Sequence, residues 1–387
     1  MTKIRLFIVK LETQEFCLQN VLAIFACQNE TRVKIYSYQI ISAFFLLIAA
    51  GCASTVKITS VAEKNKDGDL LLKWEVSPDQ EGNINIYSSQ SDSDISAFTP
   101  IKTSNITDQV TVINPSSPDI REFYILKTTS AYSGIIANRI IEMSNIKNFR
   151  DMGGYFTRTD QQMKWGKIFR SGDLSSATLY DQERIRRLNI RTIIDFRSDR
   201  TAKRYPILVH PNIRKISLPI TPLDDEKINE MMDNEHLTRS DAIRDVQDSY
   251  IGIIENYKSV FAEMFNILTD ENNYPVLLSG SLGKDRVGLA SFFILYAVGI
   301  PQNVIIDDYL LSRQTVDISK IAENVKTKPE YFQEAVTALM SVNPAYINYT
   351  IDYINQKYGS IDNYLEKELK LTSGKKILLR KYLLYNQ

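Results

Sequence analysis

The period of apolar and polar positions changes along this chain. Ile40–Ala50 is an apolar run with one serine, Ser42. Between residues 56 and 140, short alternating segments follow one another: Leu70–Val76, Asn83–Tyr87, Val110–Ile113, Arg121–Lys127 and Ala137–Ile141. Turn residues such as Pro78, Asp79 and Gly82 separate them, the spacing of a small all-β sandwich. Beyond residue 141, strand-like and helix-like patterns alternate. Asp181–Leu188 has helical spacing, with Ile185 and Leu188 three apart, and Arg191–Phe196 is a short β-branched run ending near Asp195. Pro275–Leu278 is a second buried strand, and Val287–Val298 is a strongly apolar helix closed by Gly299 and Pro301. This pattern predicts an α/β domain, a central sheet flanked by helices, preceded by the sandwich.

The apolar run is too short to span a bilayer, which takes ~20 residues. Arg32 and Lys34 precede it, and Ala49-Ala50-Gly51-Cys52 follows. A basic flank, a short apolar stretch and small residues read as an export signal. The ending is similar to a bacterial lipobox, which implies lipidation of Cys52 and a lipid-anchored protein of the bacterial cell envelope. The native precursor is expected to start at Val33, with residues 1–32 an upstream extension, 33–51 the signal, 52–140 the sandwich and 141–387 the α/β domain.

Composition narrows the chemistry. The 387 residues carry 46 basic and 46 acidic side chains, so no nucleic-acid partner is expected. The three cysteines, Cys17, Cys27 and Cys52, all precede the globular regions. A disulfide or thiolate metal site within those regions is excluded. The two histidines, His210 and His236, are too few for a His-rich metal site. They leave a Ser-His-Asp triad open, though neither sits in a recognisable motif. No metal or cofactor is expected.

The strand at Pro275–Leu278 runs into Ser279-Gly280-Ser281-Leu282-Gly283-Lys284-Asp285-Arg286 and then the apolar helix. Strand, glycine-bearing loop and helix N-terminus form a layout that holds an anion on backbone amides. Arg286 can grip two phosphate oxygens. Ser279, Gly280, Ser281, Leu282, Gly283, Lys284 and Arg286 are the expected phosphate-binding residues.

This loop resembles that of the bacterial tyrosine/serine phosphatases, whose pattern is His-Cys-x-x-Gly-Lys-Asp-Arg-x-Gly. Gly283, Lys284, Asp285, Arg286 and Gly288 match it, whereas Ser279 and Gly280 stand where the family has His and Cys. Four further blocks are similar in the same order: Asn148–Tyr155, Trp165–Gly172, Ile193–Ser198 and Tyr358–Leu365. The resemblance implies a tyrosine phosphatase-like domain over roughly residues 143–386. It implies supporting roles for Arg150, Asp151 and Arg170, and a cover formed by the charged stretches 224–270 and 315–345. Met231 and Met232 read as packing. Residues 56–140 resemble a fibronectin type III module, with Trp74 its core tryptophan and Tyr124 a strand-F tyrosine.

In the family, a thiolate on the loop attacks phosphorus and a carboxylic acid protonates the leaving oxygen. Gly280 has no side chain to do this. The side chains of Ser279 and Ser281 are expected to point away from the thiolate position. Asp195, Asp285 and Arg286 are the remaining catalytic candidates. The alternatives are a helix cap or Arg197 partner for Asp195, and a loop-organising acceptor for Asp285. Three functions stay open: a pseudophosphatase that binds a phosphoprotein, phosphoinositide or small phosphate ester; an active phosphatase of altered mechanism; and a surface scaffold or adhesion lipoprotein.

Overall fold

A computed structural model describes residues 55–92, 99–115, 120–221, 229–231, 233, 236–315 and 325–386. The apolar run, Cys52, Met232 and parts of both expected covering stretches lie outside the described residues.

The N-terminal region is built from seven strands: β1 (Lys57–Lys64), β2 (Leu70–Ser77), β3 (Asn83–Ser89), β4 (Lys102–Asn105), β5 (Val110–Ile113), β6 (Phe123–Lys127) and β7 (Ile136–Ala137). They pair as two sheets, in the orders β1-β2-β5 and β4-β3-β6-β7. Alternation puts Leu72, Trp74 and Val76 of one sheet against Ile84, Ile86, Tyr124 and Leu126 of the other. Trp74 donates its indole N–H to Ile106 O at 2.8 Å, so its polar edge is satisfied inside the core. The alternating segments match β2, β3, β5 and β6. The segment Ala137–Ile141 does not become a strand of that length, because β7 covers only Ile136–Ala137 before the chain turns into the next region.

That region is organised on a five-stranded sheet, β11-β10-β12-β9-β8. Its strands are β8 (Arg150–Asp151), β9 (Ile168–Ser171), β10 (Thr192–Asp195), β11 (Arg214–Ser217) and β12 (Val276–Ser279). β9, β12, β10 and β11 run parallel, and β8 pairs antiparallel at the edge. Helices cover both faces, so β9, β10 and β12 are buried on both sides, which is why β10 and β12 read as short, largely apolar runs. Ile194, Leu278 and Ile168 face the larger core, and Ile193, Leu277 and Phe169 face the smaller one. The smaller core is closed by α1 (Leu179–Arg187), capped by Thr178 and Asp181 in a reciprocal box. After β10 comes α2 (Asp199–Arg204). The larger core is packed by α3 (Arg239–Asn256), α4 (Lys258–Leu268), α5 (Arg286–Val298), α6 (Gln302–Thr315), α7 (Glu330–Met340), α8 (Pro344–Tyr358) and α9 (Ser373–Leu383). α5 is apolar all round because it lies at the centre of this layer, with nearly every side chain buried.

The two regions form one compact unit over Val56–Gln387. Arg121 of the sandwich pairs with the buried Asp151 of β8 at 2.6 Å and lies over the rings of Phe123 and Trp165. Trp165 donates to Ile135 O at 2.8 Å, and Arg139 lies over Tyr155 with its guanidinium 3.8 Å from the ring centre.

Candidate functional site

β12 is flanked by β10 and β9, so its C-terminal end opens at the middle of the sheet, where ligand sites form in open α/β folds. The loop from Gly280 to Asp285 leaves this end and enters α5 at Arg286. Its carbonyls are tied to the surroundings one by one. Phe196 N donates to Ser279 O at 2.9 Å, and Asp173 N to Ser281 O at 2.9 Å. Asn148 Nδ2 donates to Leu282 O at 3.0 Å, and Arg170 Nη2 to Gly283 O at 2.8 Å. In a trans peptide the N–H points opposite to the C=O. The amides of Gly280, Leu282, Gly283 and Lys284 are therefore turned away from these anchors. Among the described residues, none of these four amides has a protein acceptor. Such a ring of amides at a helix N-terminus is an anion cradle.

Gly280, Ser281, Leu282, Gly283, Asp285, Arg286 and Val287 line the concavity. Gly283 is required by two features. Its φ is +66°, and a Cβ there would collide with Ser171 O. Arg286 is almost fully buried. Its Nη1 donates to Phe196 O at 3.3 Å and Ile220 O at 3.1 Å, and its Nη2 to Ser281 Oγ at 2.8 Å. The guanidinium is thus fixed at the cradle's edge by the chain itself.

Two of the expected phosphate-binding residues, Ser279 and Lys284, do not line the concavity. Ser279 is fully buried, and its hydroxyl donates to Gly172 O at 2.9 Å. The Lys284 ammonium is buried, pairing with Asp285 Oδ1 at 2.8 Å and reaching Leu339 O at 3.4 Å, because a desolvated charge needs a partner. Only the Lys284 amide belongs to the cradle. Ser281 turns its Oγ to Arg286.

The carboxylates divide. Asp195 ends β10 beside Ser279, but Arg197 clasps it: Nε lies 3.0 Å from Oδ1 and Nη2 2.8 Å from Oδ2. This is the geometry of an Arg197 partner. Asp285 lies at the concavity and also accepts from Tyr250 OH at 2.7 Å, which in turn meets Tyr309 OH at 2.9 Å. Burial, reinforced by the Asp285 charge, holds the Tyr250 hydroxyl well above the ordinary phenol range, so it stays a proton donor.

Beneath the loop lies a buried charge cluster that the sequence reading did not assemble. Asp308 of α6 accepts from Arg170 Nη1 at 2.7 Å, from Arg150 Nε at 3.3 Å and from Tyr155 OH at 2.9 Å. Arg150 also meets Asn148 Oδ1. Burial alone would raise the Asp308 carboxyl, but the guanidiniums of Arg150 and Arg170 outweigh it and hold the group below the usual range. Burial, and then the charge of Arg150, lowers Arg170 to about 10, so it stays charged at neutral pH. Two cations sharing one anion leave excess positive charge under the cradle. The missed signal was the helical stripe Ile305, Asp308, Tyr309 and Ser312, an acid on the buried face of α6.

Residues 141–385 match the tyrosine phosphatase family. A Cupriavidus necator protein provisionally named a tyrosine-protein phosphatase is 23% identical over 250 residues, covering 64% of this chain and 90% of that one. The triple specificity protein phosphatase PtpB of Mycobacterium tuberculosis is 27% identical over 259 residues, covering 58% of this chain and 92% of that one. Among solved structures, the catalytic domain of the PP-IP phosphatase Siw14 of S. cerevisiae is 12% identical with a TM-score of 0.23, covering 49% of this chain and 89% of that one.

Proposed function

This chain belongs to the tyrosine phosphatase family, and we propose that within it the protein is a pseudophosphatase: it binds phosphate monoesters and does not hydrolyse them. One observation carries this reading. An anion cradle with its arginine stands around Gly280, which offers no nucleophile. Of the loop hydroxyls, Ser279 donates to Gly172 O and Ser281 accepts from Arg286 Nη2. No cysteine follows Cys52. The ligand is a phosphate monoester on a protein, a phosphoinositide or a small molecule, since the cradle reads the shared dianion.

The reading extends to the rest of the chain. The apolar run Ile40–Ala50 with Cys52 supports export and lipid anchoring in a bacterial cell envelope. The three-plus-four strand order around Trp74 supports a fibronectin type III-like spacer.

Repair tests the proposal. A Cβ at Gly280 would meet only Val287 Cγ2, at 3.1 Å, so that methyl must give by a few tenths of an ångström. Ser279→His with Gly280→Cys is expected to gain aryl phosphate turnover that the natural chain lacks. A natural chain that already turns over substrate, with turnover abolished by Arg286→Ala, would overturn the proposal.

A further inference from the structure

Four carbonyls along the loop are held from outside, but not by equal means. The Ser279 and Ser281 carbonyls are held by main-chain amides of neighbouring segments. The Gly283 carbonyl is held by a side chain, the fully buried Arg170. Gly283 is also a residue whose own backbone dihedrals restrain it little, because a glycine visits both signs of φ. If the peptide between Gly283 and Lys284 turned over, a carbonyl oxygen would face the bound anion in place of an N–H.

We propose that Arg170 is a positioning residue for phosphate binding: by holding the Gly283 carbonyl, it directs the Lys284 amide at the oxyanion. The inference rests on the phosphate-binding reading above. Arg170 is itself held in place. Its Nη1 is committed to Asp308 Oδ2 at 2.7 Å, which leaves Nη2 for Gly283 O at 2.8 Å. Asp308 is fixed in turn by Arg150 and by the Tyr155 hydroxyl. Arg150 reaches further, donating to Asp308 O at 2.8 Å and to Ser312 Oγ at 3.2 Å, so the cluster is pinned to α6 by main chain as well as side chain. A planar guanidinium can serve two acceptors in fixed directions, whereas an ammonium on a shorter reach cannot.

The test measures orthophosphate binding to the natural chain, to Arg170→Lys and to Ile185→Ala, with the Lys284 amide followed by 15N NMR. Ile185 is buried in the core on the other face of the sheet, so its truncation lowers stability without touching the loop. Arg170→Lys is expected to weaken binding by about tenfold or more, the worth of one charge-assisted hydrogen bond. Ile185→Ala is expected to stay within about twofold of the natural chain, a difference well below one such bond. The Lys284 amide is expected to shift on phosphate addition to the natural chain. A natural chain that binds no phosphate overturns the phosphate-binding reading itself. Natural binding with Arg170→Lys unchanged, or with Ile185→Ala weakened as much, overturns this inference alone. Should Arg170→Lys not fold, the Lys284 resonance of the natural chain decides, and an unshifted amide overturns the proposal.

Discussion

Two glycines of the same loop are there for different reasons. Gly283 needs its positive φ and its missing Cβ, because the loop presses against Ser171 O. Gly283→Ala is expected to abolish phosphate binding and to destabilise the fold by roughly 1–3 kcal/mol, the cost of a strained backbone residue. Chemical denaturation and a phosphate titration check the two effects separately. Gly280 has no such constraint, and only Val287 lies near its absent Cβ. These loop residues were legible in the sequence because they are contiguous and their spacing is fixed by the turn they make. The role of Lys284 was not, since nothing local shows that its ammonium turns back to Asp285.

At the scale of elements, the site depends on α6 and β8 as much as on the loop. Asp308 comes to the loop from α6, while Arg150 and Arg170 come from β8 and β9. Asp308→Asn would leave two buried guanidiniums without their anion and is expected to cost about 3–5 kcal/mol, measurable by urea denaturation. The pH dependence has a definite sign. The folded-state carboxyl of Asp308 lies below its unfolded value of about 3.9. Its contribution is therefore present above that pH and is lost as the pH falls toward the folded value. The stability gap between the natural chain and Asp308→Asn should shrink below about pH 4. Long apolar elements such as α5 were readable from pattern alone. β1 was not, because only Ile58 and Ala62 face inward from it. β9 carries a buried arginine where a strand core usually has an aliphatic residue, so its pattern is visible only through the block it shares with relatives.

For the whole molecule, the sandwich is a wall of the α/β region. Asp151 accepts from Arg121, Gly153 N and Gly166 N, so the sandwich's arginine completes a buried carboxylate shell next to Arg150. Arg121→Ala is expected to destabilise the described unit as a whole, by about 3 kcal/mol for a broken buried pair. Tryptophan fluorescence and far-UV circular dichroism should follow one coincident transition. A separate, earlier melting of the sandwich would contradict that picture. Alternation marked the sandwich strands, yet it carries no trace of this junction, where Arg121 meets Asp151 and Ile135 meets Trp165, each pair 30 residues apart.

The central claim is recognition without turnover. A calorimetric titration of the purified natural chain with an aryl phosphate, with phenolate release followed in the same cell, tests it most directly. Saturable heat that disappears in Arg286→Ala, with no phenolate released, is the predicted result. Sustained phenolate release that Arg286→Ala abolishes would contradict it.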